Sequence, residues 1–290
     1  MDIANLLGMA RTAALAGNNA EAMEYFNRVL EIDPRCSEAW LGKGKAAGWA
    51  STLAVFRIPE VQVAFAHAIG TADDGQKQAV AATAADEMNK LIAMLYAAAR
   101  NHLIEYVSLA NSWPDYLQKM GQLLAALDEA AVWDPTNRTT FENIEHLCKD
   151  NIEGVAYRDQ FNQNAPGLLS LTPEYETTLR AKRDDAIARL RGLDPAYEPP
   201  SLVKKEAETC FVVTATMGDA DHPTVQLLRR YRDEHLASRR VGAALIAIYY
   251  RLGPIAADII RNRPLLRRLS FRWIVRPAAE AAARRIGQHR

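Results

Sequence analysis

A step of 34 residues near the N-terminus constrains this chain more than any other feature of its sequence. Residues 3–34 read as two helices joined at Gly17-Asn18-Asn19, a turn that permits positive φ and stops the first helix. The first helix places Leu6, Met9, Ala10 and Ala13 on one face. The second places Ala22, Tyr25, Phe26, Val29 and Leu30 on one face before Ile32-Asp33-Pro34 ends it. Small side chains at Ala10 and Ala22 let the helices approach, and Phe26 fills the space beside them. Moving 34 residues on from Leu6 and Ala10 arrives at Trp40 and Gly44, so the pattern restarts in phase. A hairpin of this size cannot bury its apolar face alone and must stack on neighbours.

These residues resemble the tetratricopeptide repeat, with Ala22, Phe26 and Pro34 at its small, aromatic and proline positions and Trp40 and Gly44 opening the next unit. The resemblance implies that Leu6, Ala10, Ala22, Phe26, Pro34, Trp40 and Gly44 are packing positions. The second unit departs from pattern, because Arg57-Ile58-Pro59 interrupts it and the stretch from Val63 to Ile69 arrives late, which implies an insertion or a broken repeat. Residues 76–112 carry apolar residues at threes and fours up to Trp113-Pro114, and a further helix runs from about Tyr116 to Asp134-Pro135. A third Asp-Pro ending, Leu193-Asp194-Pro195, closes a charged helix over 173–192. The middle therefore reads as degenerate helical repeats or a bundle, and Ala196 to Pro200 as a linker, since consecutive prolines cannot continue a helix.

The formal charge is zero, but residues 229–290 hold 15 Arg, no Lys and 4 acids, so that end is strongly positive and the rest equally negative. Opposed halves imply either mutual packing or an anionic surface as the partner of the basic end. Cys36, Cys148 and Cys210 are far apart and form no Cys-x-x-Cys pair, which argues against a disulfide framework or a zinc knuckle and for a reducing compartment. The N-terminus has Asp2 and helical periodicity where a secretory leader would have basic residues and a solid apolar block, so a cytoplasmic protein is expected. The sequence lacks a Walker glycine loop, Gly-x-Gly-x-x-Gly, His-Glu-x-x-His and Gly-x-Ser-x-Gly, and no metal or cofactor is expected.

From residue 210 the text changes to CFVVTATMGDADHPTVQLLRRYRDEHL, followed by an apolar stretch and an arginine-rich end. It resembles the CFI-box carboxy-terminal domain, a bacterial module, through Cys210, Phe211, Thr214 and Gly218, then Arg229, Arg232 and Asp233, then Tyr249, Tyr250 and Pro254. It departs at Val212, Val213 and Met217, where the signature has Ile, Ala and Tyr. The family has no settled activity, so the resemblance names a module without a mechanism. The β-branched run Phe211 to Thr214 is expected to be extended, His222-Pro223 to open a helix carrying Val225, Leu228, Tyr231 and Leu236, and two further helices to cover 241–251 and 254–261. Cys210 and His222 are the one candidate nucleophile and base, weighed against a buried structural thiol. The apolar run 241–260 contains Arg251, Gly253-Pro254 and Asp258, which speaks against a membrane span. Arg268, Arg272 and Arg276 form a helical stripe beside Leu266, Leu269 and Trp273; together with Arg267 they could face an anionic membrane, phosphates of a nucleic acid, or acids of a protein.

The expected fold class is mostly α: tetratricopeptide-like helix hairpins over 1–72, degenerate helical repeats or a bundle over 73–196, a linker over 197–209, and a small basic helical module over 210–290 with at most one short extended segment. The expected function is a non-enzymatic adaptor that holds a peptide or helix of a partner protein. The alternatives are a cysteine-dependent or self-processed module centred on Cys210, and peripheral attachment through 241–277 to the inner face of a membrane. A nucleic-acid partner and a small-molecule substrate carry less weight.

Overall fold

The computed structural model describes residues 2–161, 165–205, 211–219, 222–236, 263–287 and, between 242 and 260, positions 242, 245, 248, 249, 252, 253, 256, 257, 259 and 260. They fall into two compact units, Met1–Val155 with Leu169–Lys204, and Ala156–Leu168 with Lys205–Arg290.

The first unit is built from eight helices: α1 (Ile3–Leu15), α2 (Asn19–Ile32), α3 (Ser37–Trp49), α4 (Ile58–Thr71), α5 (Asp74–Glu105), α6 (Ser112–Trp133), α7 (Arg138–Glu153) and α8 (Pro173–Leu193). Helices pair as α1 with α2, α3 with α4, α5 with α6 and α7 with α8, and α1, α3, α5 and α7 also touch in succession. The middle helices thus continue the neighbour pattern of the first two hairpins, which makes the stack one run of four.

Local chemistry explains the elements. Gly17 takes φ 77° after α1, and Asn18 caps α2 by accepting from the Glu21 N–H at 3.4 Å. Leu6, Ala10, Ala13, Ala22, Phe26 and Val29 are buried together between α1, α2 and α3. In α3 the glycines mark close approach: a methyl group on Gly42 would overlap the Phe26 ring, and one on Gly44 would overlap the Phe65 ring. The insertion expected in the second unit is the loop of residues 50–57, held by Thr52 and Val55 bonding each other and by Ser51 Oγ accepting from the Arg57 N–H at 3.2 Å. The main core then runs from Ile58 through Leu91, Ile92, Leu95, Leu123, Leu127 and Leu147 to Leu190.

The three Asp-Pro endings are one turn used three times. Asp33, Asp134 and Asp194 each end a helix with an extended backbone, and each side chain accepts from the N–H two residues on, at 2.9, 3.0 and 3.1 Å. Each carbonyl accepts from the N–H three residues on, in Cys36, Asn137 and Tyr197. A new helix follows the first two turns but not the third, where Pro199-Pro200 stands in the way. Residues 197–204 run along the stack: Arg183 donates to the Pro200 carbonyl at 2.7 Å, the Val203 N–H to Glu153 at 3.0 Å, and Lys204 pairs with Glu176 at 2.6 Å.

The middle of the chain departs from the sequence-based expectation in two places. The helix expected over 76–112 ends at Glu105, and α6 begins at Ser112 rather than near Tyr116. Pro114 sits in the first turn of α6, where the missing N–H costs nothing, and Ser112 Oγ donates back to the Tyr106 carbonyl at 2.6 Å. Residues 155–169, read as part of the helical middle, contain a two-stranded sheet of β1 (Val155–Asp159) and β2 (Ala165–Leu169). Gly154 at φ 93° ends α7 before it, and the Tyr157 ring lies over Gly167 where a methyl group would not fit.

The second unit contains α9 (Phe211–Met217), α10 (Pro223–Tyr231) continued by a π-helical turn (Arg232–Leu236), and α11 (Pro264–Ser270) leading through a π-helical turn (Phe271–Val275) into α12 (Arg276–Gly287). The expected extended run at 211–214 is helical. Val212 and Val213 are buried, and the Thr216 hydroxyl donates to the Val212 carbonyl at 2.6 Å, so packing and a helical side-chain bond outweigh β-branched propensity. His222-Pro223 does open a helix, with Nδ1 of His222 accepting from the Thr224 N–H at 3.1 Å, and Val225 and Leu228 face the core. The π-turn before Pro277 widens the helix where proline would otherwise meet the carbonyl one turn back. Most of 241–251 and 254–261, expected as two helices, lies outside the described residues.

Candidate functional site

A groove of about 490 Å³ opens between α1 and α3, and its walls come from both repeats. Its apolar lining is Ala14, Leu15, Phe26, Leu41, Gly42, Ala46 and Trp49, and its charged lining is Arg11, Glu38 and Lys45. Leu15 is 90% exposed and Trp49 46%, so two large apolar side chains face water on the same groove. The same 34-residue step that relates the packing positions relates Arg11 to Lys45 and Leu15 to Trp49. Arg11 is paired with Glu38 at 2.6 Å through Nε, and Lys45 lies 3.6 Å from Glu87. Pairs exposed to this degree contribute little and exchange partners easily. The groove can therefore take an apolar side chain beside a carboxylate.

Of the seven repeat positions named from the sequence, Phe26 lines this groove and the other six do not. Leu6, Ala10, Ala22 and Phe26 are buried, and Gly44 is covered by Phe65. Pro34 lies in the first Asp-Pro turn, and Trp40 reaches back to it, donating Nε1–H to its carbonyl at 2.8 Å while stacking on His67 at 4.5 Å. Trp40 thus joins two repeats and does not line the groove. The groove residues Leu41, Lys45 and Trp49 escape a search for packing positions; carrying the 34-residue step from the exposed residues of α1 would have found them.

Two polar clusters cross the stack and serve its register. Arg100 pairs with Asp150 at 3.0 Å and donates to the Tyr116 hydroxyl at 3.3 Å; Tyr116 donates to Asn151 at 2.8 Å, and Tyr96 bonds Asp150. Burial raises the Tyr96 and Tyr116 hydroxyl pKa values, so both stay protonated and act as donors. Asn89 is buried with Thr140 and bonds it at 2.8 Å. Burial also pushes the Cys148 thiol up to about 12, which makes it inert rather than nucleophilic. Among the described residues no group of three or more His, Cys, Asp or Glu could hold a metal ion.

In the second unit, Gly218 takes φ 76° at the end of α9 and its N–H donates to the Thr214 carbonyl at 2.8 Å. Arg267 Nε donates to the Thr216 carbonyl at 3.2 Å, and its guanidinium lies against Gly218 so closely that a methyl group there would overlap it. At the other end of α9 the Val212 N–H donates to the Tyr249 hydroxyl at 3.0 Å. Thr214 Oγ1 is buried with no hydrogen-bond partner among the described residues. Arg229 lies in the last turn of α10, and Arg232 is buried. The backbones of Phe211 and Asp233 are helical. Cys210, Tyr250 and Pro254 lie outside the described residues. His222 is tied to its helix cap through Nδ1. Arg267, Arg268, Arg272 and Arg276 come together in an open groove of about 790 Å³ with Thr216, Met217, Pro264 and Phe271.

Residues 3–46 match the tetratricopeptide repeat family, a span that covers the first hairpin and most of α3, with every lining residue of the first groove except Trp49. No curated protein and no solved structure matches the chain. The chain is thus a predominantly helical protein whose N-terminal part is of tetratricopeptide type, a class that mediates protein–protein interaction through stacked hairpins. No helix of the described residues is long and apolar enough to cross a membrane.

Proposed function

We propose that the protein is a non-enzymatic adaptor that holds a segment of a partner protein in the groove between α1 and α3. The observation that carries this reading is the pairing of exposed Leu15 and Trp49 with Arg11 and Lys45 in the lining of one groove. The partner segment carries a bulky apolar side chain for Leu15 and Trp49 and a carboxylate for Arg11 and Lys45. The remaining hairpins hold the groove walls rigid. The C-terminal unit is a CFI-box-type module that serves docking, a reading supported by Gly218 and Tyr249 meeting opposite ends of α9.

The test is a displayed peptide library selected on the full chain, with the winners measured against Trp49→Ala and Lys45→Glu. Loss of Trp49 weakens a selected peptide by about tenfold or more, as for a central aromatic contact, and Lys45→Glu shifts the preference away from acidic peptides. Selected peptides that bind both variants as well as the original chain would exclude this groove.

A further inference from the structure

The outer face of residues 264–276 combines a cluster of arginines with large apolar side chains left in water. Arg267, Arg268, Arg272 and Arg276 line one open groove, and while Arg276 meets Glu280 at 2.9 Å, no carboxylate among the described residues pairs with the other three. On the same segment Leu265 is 73% exposed, Leu269 53% and Trp273 71%, spaced at successive helical turns. The segment cannot roll these residues inward, because its inner face is already committed. Ser270 Oγ lies 2.6 Å from Thr216 Oγ1, and Val275 and Ala282 are buried against Val213, Val225 and Leu228.

We propose that this face is a docking surface for an anionic lipid bilayer. The arginines take the phosphate and carboxylate groups of the lipids, and Leu265, Leu269 and Trp273 enter the boundary between headgroups and acyl chains, where tryptophan is favoured. The exposed leucines decide against nucleic acid: a phosphate backbone would satisfy the arginines and leave the aliphatic side chains in water. Charge distribution acts in the same direction, since residues 229–290 carry 15 Arg against 4 acids while the rest of the chain is acidic and repelled by the same surface.

The full chain is sedimented with phosphatidylcholine vesicles, with and without phosphatidylserine, at low and high salt. Binding is expected only with phosphatidylserine and is expected to fall as salt rises. Arg268→Gln with Arg272→Gln, both exposed, weakens it about 30-fold, and Trp273→Ser weakens it at both salt concentrations. Circular dichroism of both variants reports that the fold is intact. Absence of binding to phosphatidylserine vesicles at low salt overturns the proposal, as does equal binding to phosphatidylcholine alone. Tight binding of a single-stranded RNA without vesicle binding assigns the face to nucleic acid. Self-association abolished by Trp273→Ser, again without vesicle binding, assigns it to a second copy of this chain.

Discussion

The hairpin stack and the C-terminal unit are both helical, yet the core each gathers differs greatly in size. In the stack, Leu91, Ile92, Leu123, Leu127 and Leu147 are gathered into one core, and the polar groups among them answer each other, as Arg100 does Asp150 and Asn89 does Thr140. In the C-terminal unit the described core is made of Val213, Val225, Leu228, Val275 and Ala282, whereas leucines and a tryptophan of the same segment stay outside. The stack gathers a long run of large side chains into one core while leaving Leu15 and Trp49 exposed at its first groove. The C-terminal unit leaves Leu265, Leu269 and Trp273 exposed beside Arg268 and Arg272.

The largest expected effect tests that contrast directly. Leu127→Ala removes a fully buried side chain from a rigid, crowded core and costs near the top of the range of about 2–5 kcal/mol. Leu228→Ala, at the edge of a small core that can close up, costs near the bottom of it. Urea denaturation of the two variants measures the difference, and equal losses would show that the two cores are equally tight.

A pair of glycines sharpens the comparison. Gly17 in the stack and Gly218 in the C-terminal unit have nearly the same φ, 77° and 76°, but Gly17 has open space around its Cα and Gly218 has the Arg267 guanidinium. Alanine at Gly17 costs the left-handed conformation alone, about 1–2 kcal/mol. Alanine at Gly218 carries that same cost and also displaces Arg267 from the Thr216 carbonyl, so its loss of stability is the larger. A Gly218 variant no worse than its Gly17 counterpart would remove Arg267 from any role in closing α9.

Much of the stack was legible because its signals are periodic. The 34-residue return to Trp40 and Gly44 and the three Asp-Pro endings mark real turns, and Asp33, Asp134 and Asp194 make the same bonds in each. Removing any of the three side chains costs about 0.5–2 kcal/mol, by analogy with other helix-end side chains, and the three losses should agree with one another in thermal melts; disagreement would mean that neighbouring packing, not the turn, sets the stability. What stayed hidden depends on tertiary context. The sheet at 155–169 rests on Gly154 ending α7 and on Tyr157 covering Gly167, neither of which has a periodic signature. Val212 and Val213 read as a strand because propensity is local, and their burial against the rest of the unit is not. The groove between α1 and α3 was missed for the converse reason: Lys45 and Trp49 are free of packing duty, so a search for a repeat's core passes over them.

The smallest effect concerns a thiol that the stack has removed from chemistry. Cys148 is fully buried in the main core, and its pKa is held up to about 12 from an ordinary 9.0, because burial disfavours the thiolate. The folded chain therefore keeps this proton while the unfolded chain gives it up. The stabilising contribution is complete below pH 9.0 and is lost as pH rises toward about 12. At pH 9 the loss is about 0.4 kcal/mol relative to neutral pH, and a Cys148→Ala variant lacks it. In the same pH range iodoacetamide should label Cys148 no faster than the stack opens, as read by peptide mass, whereas half-buried Cys36 is labelled directly. Rapid labelling of Cys148 in the native chain would mean that the core between α7 and α8 opens, and that the close packing of the main core stops short of the last hairpin of the stack.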